Sequence, residues 1–247
     1  MTDQMDLART LIYNQDSKDE SDRSFRPKNT DIGPIRYIFR NQEAELIKQI
    51  SLYSSMVGCV AWLTSFPILE AMQGKWVSIV VQKEDFLRPD IGRTSQDRWK
   101  RGLRQRYDSL TSAANEKSSF CGWGHIIERA GYAGCEPFDA VRCIGHYNRE
   151  KKPAMPRMHH KFLVFGEWSE PGSDPEEYVH SEFIPQAVWT GSFNFTKNAG
   201  LSLENAMVIH SEQVAELYHR EFQHIFLLSE PLDWEHDWVS PEYYIGS

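Results

Sequence analysis

The sequence of 247 residues predicts an α/β fold of one domain built around a β-sheet. Two observations predict it. Short apolar segments of strand length alternate along the chain with segments whose apolar residues recur at helical spacing. Residues 57–81 also read strand, helix, strand, with the lengths of a unit that joins two parallel strands through a right-handed crossover. The composition, 40% hydrophobic and 25% charged, excludes a wholly disordered or fibrous protein.

Residues with capping or helix-breaking preferences set the bounds of the helices. Asn41 is expected to cap the first helix, whose inward residues are predicted to be Leu46, Ile47, Ile50 and Tyr53. Residues 64–65 cap a second helix, which carries Pro67 in its first turn and ends at Gly74. Ser211 caps the last helix. Its inward residues are predicted to be Val214, Leu217, Tyr218, Phe222, Ile225 and Phe226.

Apolar runs rich in β-branched and aromatic residues predict the strands. The predicted strands are residues 57–63, 76–81, 140–145, 160–165, 187–190 and 205–209. Between the second and the third lies a polar, basic segment, residues 96–107, which is predicted to be helical with a weak point at Gly102.

The two ends of the chain differ in composition from its middle. Residues 1–33 are polar, charged and without periodicity, so we expect a flexible arm before a domain over residues 34–230. Residues 231–247 form an acidic, aromatic tail. No apolar run approaches the roughly 18–20 residues that span a bilayer, and the polar start is unlike a signal peptide. With four cysteines, too few for a disulfide framework, these features predict a cytoplasmic protein without a membrane anchor.

Charge is unevenly distributed along this acidic chain, whose net charge is −8. Residues 75–161 hold 17 basic against 10 acidic side chains, whereas residues 162–247 hold 2 against 15. Such blocks are often only solvated faces, but the basic block also suits a phosphate-rich partner. The candidate nucleic-acid-binding residues are Arg98, Lys100, Arg101, Arg104, Arg149, Lys151, Lys152 and Arg157, and Arg142 belongs to the same basic group. Trp99 and Tyr107 are expected either to stack on bases or to pack inward.

The most informative pattern joins a histidine, a lysine and a glycine–serine turn. His159 and Lys161 are two residues apart on a predicted strand, so their side chains face the same way. Ser192 and Asn194 follow the next strand, where a tight turn can offer hydroxyl, amide and backbone N–H groups to an anion. A histidine beside a fixed cation and such donors suits attack at phosphorus, because charge develops there on oxygens that donors must already hold.

With these residues the sequence resembles the phospholipase D superfamily, whose motif is His-x-Lys followed by Gly-Ser-x-Asn. The runs at residues 158–162 and 190–196 carry the resemblance, which extends roughly over residues 40–228. It is greatest to the small members with one motif per chain, among them bacterial endonucleases. The resemblance implies a mixed β-sheet flanked by helices and a nuclease domain that cleaves nucleic acid, DNA more than RNA.

The resemblance also implies a mechanism and an assembly. One histidine forms a phosphohistidine, while a second protonates the leaving oxygen and then activates water. Because the chain has one motif, a homodimer would bring His159 of each copy to a shared cleft. Lys161, Ser192 and Asn194 would bind the phosphate oxygens. Glu204 would hydrogen-bond His159 and set its tautomer. No metal and no cofactor are implied.

Two departures from the family pattern bear on activity. Gly166 occupies the position of the family's aspartate, with Glu167 one residue later. The connection over residues 167–186 is long and acidic, and we expect it to gate the site or to contact a partner. Two alternatives therefore stay open: a hydrolase of phospholipids of the cardiolipin type, and a non-catalytic subunit that binds nucleic acid.

The remaining histidines and cysteines have simpler interpretations. His160 is expected to face away from His159, as a core residue or as support for the site. Several residues raise the alternative of a zinc site, although they lack the Cys-x2-Cys spacing of structural zinc, and buried thiols are the simpler interpretation. These residues are Cys121, His125, Cys135, Cys143 and His146.

Overall fold

The computed structural model of the protein describes residues 28–84, 87, 96–113, 139–145, 157–169 and 183–232. The predicted arm before residue 28 and the predicted tail after residue 232 lie outside the described residues, as does the middle of the 167–186 connection. The domain bounds predicted from the sequence therefore stay a prediction.

A single mixed sheet forms the centre of the described structure, in the order β1-β2-β9-β8-β7-β3-β4-β6-β10, with β5 paired to β4. The strands are β1 Thr30–Ile32, β2 Ile35–Ile38, β3 Ser55–Val60, β4 Trp76–Gln82, β5 Thr111–Ser112, β6 Val141–Ile144, β7 Lys161–Trp168, β8 Phe183–Gly191, β9 Ala206–Ile209 and β10 Glu230–Pro231. The predicted parallel pair is confirmed, because β3 runs parallel to β4. On its other side β3 pairs antiparallel with β7.

Within the described residues, four α-helices cover the two faces of this sheet. They are α1 Gln42–Ser51, α2 Phe66–Met72, α3 Gln96–Asp108 and α4 Glu212–Leu227. Residues of α1, α2 and α3 share one apolar cluster with alternate strand residues such as Leu163 and Phe165. The other strand faces, including Phe162 and Val164, pack with α4 in a second cluster. The predicted mixed sheet flanked by helices is confirmed. Within the described ranges no helix is long and apolar enough to cross a membrane.

The strand directions bring four chain segments to one end of the sheet. Val60 at the end of β3 lies opposite Lys161 at the start of β7. Gly191 at the end of β8 lies opposite Ala206 at the start of β9. We call this end, defined by these four residues, the motif end. It carries both halves of the sequence motif.

The first strands differ from the sequence prediction. Residues 30–32, placed in the predicted arm, form β1 and pair with β2, which in turn pairs with β9. All three β1 residues are exposed, so no apolar alternation marked them in the sequence. Asn29 secures the hairpin, because its side-chain oxygen accepts hydrogen bonds from the backbone N–H groups of Phe39 (2.8 Å) and Arg40 (3.1 Å).

The helix caps and inward faces are confirmed in part. Ser65 and Ser211 accept hydrogen bonds from the backbone N–H groups three residues on, as predicted. Asn41 precedes α1 in a left-handed conformation and makes no side-chain cap bond, so its predicted cap is wrong. Leu217 is 64% exposed, so its predicted inward position is also wrong. In its place Ala215 faces the sheet.

Candidate active site

His159 and Lys161 lie beside each other at the motif end, as their spacing predicts. The Lys161 Nζ atom is 3.1 Å from His159 Nδ1 and donates to the His159 carbonyl oxygen at 2.9 Å. Lys161 is almost fully buried, whereas His159 is exposed. An imidazole at the surface therefore has a cation fixed beneath it.

Neighbouring strands hold the backbone that carries this pair. The Met158 N–H donates to the side-chain oxygen of Gln82, at the end of β4, over 2.6 Å. The Ala61 N–H, just after β3, donates to the His160 carbonyl oxygen over 2.8 Å. Trp62 presents its ring nearly perpendicular to the imidazole of His159, with centroids 6.1 Å apart. Residues on both sides of His159 are thus anchored, while its ring keeps an open side.

The surroundings shift the ionisation of both groups. Burial lowers the pKa of Lys161, and the charge of Glu204 opposes that shift. Burial and then the charge of Lys161 lower the pKa of His159 below its ordinary value of 6.5. A lowered pKa leaves the imidazole of His159 neutral near pH 7, and the neutral ring is the form that can attack phosphorus.

The turn after β8 brings Ser192 to the same end. Gly191 lies so close to β9 that an added Cβ would collide with the Asn205 carbonyl oxygen, which explains the glycine. The Ser192 N–H donates to Asn205 O over 3.0 Å, and the Asn205 N–H donates to Ser192 Oγ over 3.1 Å. The Ser192 hydroxyl in turn donates to a carboxylate oxygen of Glu204. This reciprocal bonding fixes the turn against β9.

Asn194 is held in the same turn by the segment that leads into α2. The N–H groups of Thr64 and Ser65 both donate to the Phe195 carbonyl oxygen over 2.8 Å, and the Phe195 N–H donates to Trp62 O over 3.1 Å. The Asn194 Oδ1 atom is buried and has no hydrogen-bond partner within the described structure. Leaving a buried acceptor unpaired costs free energy, so this position suits a group that binds a donor from outside.

The structure corrects the expected partner of Glu204. The predicted hydrogen bond from His159 to Glu204 is not formed in the described chain, because the carboxylate accepts from Ser192 and Lys161 occupies the His159 Nδ1 side. Gln42, at the start of α1, donates from Nε2 to the Glu204 carbonyl oxygen over 2.7 Å. Glu204 therefore stays at the motif end, but it positions the serine turn rather than the imidazole.

His160 is neither a core residue nor a support for His159. Its side chain is 47% exposed, and Nε2 lies 3.4 Å from Glu221 Oε1 on α4. It also contacts the Phe162 ring edge-on. The expectation that it faces the opposite side from His159 is consistent with this contact, since α4 covers the other face of the sheet.

Gly166 explains why an aspartate is absent at that position. It is buried in β7 at a register shift opposite β8. An added Cβ would collide with the Ile184 carbonyl oxygen and come within 2.8 Å of the Phe183 ring. The position has no room for a side chain, so the family's aspartate would fit there only if β7 and β8 moved apart.

The candidate nucleic-acid-binding residues fall into three groups. Arg98, Lys100, Arg101 and Arg104 lie on α3, with Arg98 and Arg101 exposed. Arg157 is 49% exposed and 3.7 Å from Glu84. Arg149, Lys151 and Lys152 lie outside the described residues. Arg142 is wrongly grouped with them, because it is buried and donates to the Ser229 hydroxyl and carbonyl oxygens.

The residues that raise the alternative of a zinc site lie largely outside the described residues. Of that set only Cys143 is described, and it is a buried thiol whose pKa burial raises to about 12. Within the described ranges no three histidine, cysteine or carboxylate side chains gather where they could hold a metal.

Sequence reasoning missed the residues that support the site. Trp62, Gln82 and Gln42 contact the motif segments only because distant parts of the chain meet at the motif end. Gln42 and Glu204 are separated by 162 positions in the sequence. No local pattern predicts such a contact.

Comparison with known proteins gives the site its family. A family model described as cardiolipin synthase, PLD-like domain, matches residues 123–226. An uncharacterized protein of Acanthamoeba polyphaga mimivirus is 30% identical over 213 residues, which cover 81% of this chain and 68% of the relative. The chain belongs to the phospholipase D superfamily. This phospholipase D-like chain is thus one of a group of enzymes that cleave or transfer phosphodiesters.

Two solved structures resemble this phospholipase D-like chain. Nuc from Salmonella typhimurium, a phospholipase D family member, has a TM-score of 0.44 at 16% identity and aligns over 79% of this chain and 95% of its own. NucT from Helicobacter pylori has a TM-score of 0.44 at 13% identity over 79% and 96%. At this level of similarity they carry no information on the substrate.

Proposed function

We propose that this chain hydrolyses phosphodiester bonds in nucleic acid, DNA in preference to RNA, without a metal ion and through a phosphohistidine at His159. One observation carries the proposal. A buried cation, Lys161, lies 3.1 Å from the exposed imidazole of His159 at the motif end. Fixed donors and a neutral nucleophile are what attack on a phosphodiester needs.

In the first step the neutral ring of His159 attacks phosphorus. The new nitrogen–phosphorus bond forms as the bond from phosphorus to the leaving oxygen breaks, and that oxygen takes a proton from a second histidine. The Nζ atom of Lys161 stabilises the charge on the phosphate oxygens. An oxygen bound beside it favours the ammonium form and so offsets the effect of burial on its pKa.

In the second step water attacks the phosphohistidine and restores the enzyme. The second histidine, now neutral, takes a proton from the water as the nitrogen–phosphorus bond breaks. The two roles need different protonation states. The donor histidine must begin as an imidazolium, with a proton on both ring nitrogens, so that giving up one proton leaves it neutral. The attacking histidine must be neutral and attack through Nε2 with its proton on Nδ1, so the Lys161 ammonium then donates to the His159 carbonyl oxygen and to the phosphate instead of to Nδ1.

The second histidine is proposed to be His159 of another copy of this chain in a homodimer. Two apolar side chains beside the site support this assembly. Leu201 is 51% exposed. Leu203, which directly precedes Glu204, is 67% exposed. A second copy would remove them from water and bring its own motif end to this one. Leu203→Lys is expected to yield a monomer by sedimentation that has lost cleavage, while a dimer of unchanged activity would contradict the assembly.

A second candidate function is hydrolysis of a phospholipid headgroup of the cardiolipin type. The observation that favours it is the description of the matching family model, a cardiolipin synthase domain. The same two chemical steps would apply, since the reacting group is again a phosphodiester. Turnover of cardiolipin in anionic vesicles, with no cleavage of nucleic acid, would select this function over the first.

The deciding experiment is cleavage of single- and double-stranded DNA and RNA in EDTA. Wild type is expected to cut, and His159→Ala to abolish cutting. His160→Ala is a matched control, because the neighbouring histidine is exposed and contacts α4 instead. It is expected to cut within twofold of wild type. Cleavage that requires metal or survives His159→Ala would contradict the proposal, and the unfolding midpoints of both variants confirm that they are folded.

A further inference from the structure

Helix α3 extends past the helix beside it. Gly102 of α3 approaches the Phe66 ring, and the Arg106 guanidinium lies 3.8 Å above that ring. Further along, Ser109 and Gln73 are joined by a 3.2 Å hydrogen bond. The two helices therefore run in the same direction. Because Phe66 begins α2, the residues of α3 before Gly102 project beyond its start by about 1.5 Å per residue.

This projecting turn lies at the motif end. The start of α2 is bonded to the serine turn, through the Ser65 N–H and the Phe195 carbonyl oxygen. Lys161 alternates along β7 with Leu163, which belongs to the same apolar cluster as Leu103 of α3. The projecting turn and the cation of the site thus share one end and one face of the sheet.

An apolar stripe on α3 continues past the core. Trp99, Leu103 and Tyr107 recur every four residues, so they lie on one face of the helix. Leu103 and Tyr107 are buried, but Trp99 is 38% exposed. The stripe ends in an indole that keeps part of its surface open to solvent.

Basic side chains flank this indole. Arg98 and Arg101 are exposed and Lys100 is half-buried, all within the same turn of α3 as Trp99. An aromatic face between cations is the combination that binds single-stranded nucleic acid, since the cations contact the backbone and the ring stacks on a base. Bases in a duplex already stack on each other and offer no free face.

We propose that Trp99 stacks on an unpaired base of the substrate and so selects single-stranded nucleic acid. The inference rests on the proposed function for its substrate class. It assigns the aromatic of α3 to a base and the neighbouring arginines to the phosphates on either side, while His159 and Lys161 act on a phosphodiester further along the strand.

The test measures binding apart from cleavage, in the full chain with His159→Ala as background. Fluorescence anisotropy would give the Kd for a labelled 12-nucleotide single strand of DNA and for its duplex. Trp99→Ala is expected to weaken single-strand binding about tenfold, in line with the loss of one stacked base, and to change duplex binding less than twofold. Trp99→Phe keeps a ring and is expected to restore most of the affinity.

Arg98→Gln is the matched control for charge. It should weaken both ligands and reduce the salt dependence of binding by about one phosphate contact, whereas Trp99→Ala should leave that dependence unchanged. Equal losses for both ligands in Trp99→Ala, or a lower unfolding midpoint that Trp99→Phe does not restore, would overturn the inference. Its failure is distinct from that of the proposed function. Binding that depends on Trp99 without cleavage by wild type would sustain the inference and reject the hydrolysis.

Discussion

Among the described residues, two lysines are buried at the motif end of the sheet, and they differ in what surrounds them. Lys83 follows β4 and is 2% exposed, while Lys161 begins β7 and is 7% exposed. Lys83 forms an ion pair with Glu230 of β10. Lys161 has no ion pair with any described carboxylate, and its nearest polar partners belong to His159.

Lys83 is a structural cation, whereas the surroundings of Lys161 suit the binding of a ligand. A buried charge needs a partner, since removal from water costs several kcal/mol. At Lys83 the chain supplies that partner, and the pair joins the last described strand to the middle of the sheet. At Lys161 a carboxylate close enough for an ion pair is missing in the described chain, so a phosphate from outside can take that place.

The largest effect is expected when the cation of the site is removed. Lys161→Met should lower cleavage in EDTA about 10²- to 10³-fold, because one preorganised group that stabilises the transition state is lost. The free energy of unfolding should fall little or rise, since a buried charge without an ion pair is replaced by an apolar chain. Cleavage rates and chemical denaturation measure both effects. If Lys161→Met lowers the free energy of unfolding strongly as well as the activity, Lys161 has a structural role like that of Lys83.

Breaking the structural pair should act on stability instead. Glu230→Gln leaves the ammonium of Lys83 buried without its carboxylate, and is expected to cost about 3 kcal/mol of unfolding free energy. The double variant Lys83→Met/Glu230→Leu removes both charges and should recover to within about 1 kcal/mol of wild type. Urea denaturation measures these values. Single and double variants of equal stability would mean that Glu230 does not compensate Lys83.

A third variant tests the comparison by adding a carboxylate to β7, the strand that carries Lys161. Gly166→Asp places the family's residue in β7 but against the Ile184 carbonyl, so we expect a loss of about 2–3 kcal/mol in unfolding free energy and no gain in cleavage. Gly58→Ala is a control with a comparable backbone collision and no added charge. Higher activity in Gly166→Asp at unchanged stability would refute the steric explanation.

The smallest effect concerns the ionisation of His159. Burial and Lys161 both lower its pKa, so the acidic limb of kcat/KM should lie below pH 6.5, where cleavage falls as the ring gains a proton. Lys161→Met removes the second cause, so the pKa of His159 should rise. Titration of the imidazole by NMR in both proteins gives the direction. An unchanged pKa would mean that Lys161 acts on the ligand alone.

Local pattern was sufficient for the centre of the sheet and for the proximity of His159 to Lys161. The strands β3, β4 and β7 are continuous apolar runs, and a spacing of two on a strand places side chains on one face. Local pattern also predicts Ser192 and Asn194 as site residues, because they directly follow a strand.

Contacts between distant segments account for what the sequence could not predict. The exposed strand β1 joins the sheet through β2, which pairs with the distant strand β9. Glu204 is turned to Ser192 by a turn geometry that no spacing encodes. The pair of Lys83 with Glu230 depends on β10, a strand of two residues that sequence patterns do not register. No local sequence pattern predicts these contacts.

The sheet order also governs when the protein can fold during synthesis. Ile35 of β2 pairs with Ile209, so the early strand has no place in the sheet until β9 has left the ribosome. One edge of β6 likewise stays unpaired until Glu230 of β10 has been synthesised. Until then the nascent chain presents unpaired strand edges, the kind of surface that chaperones bind and that aggregates form on. Folding is therefore delayed until nearly all of the described chain has been translated.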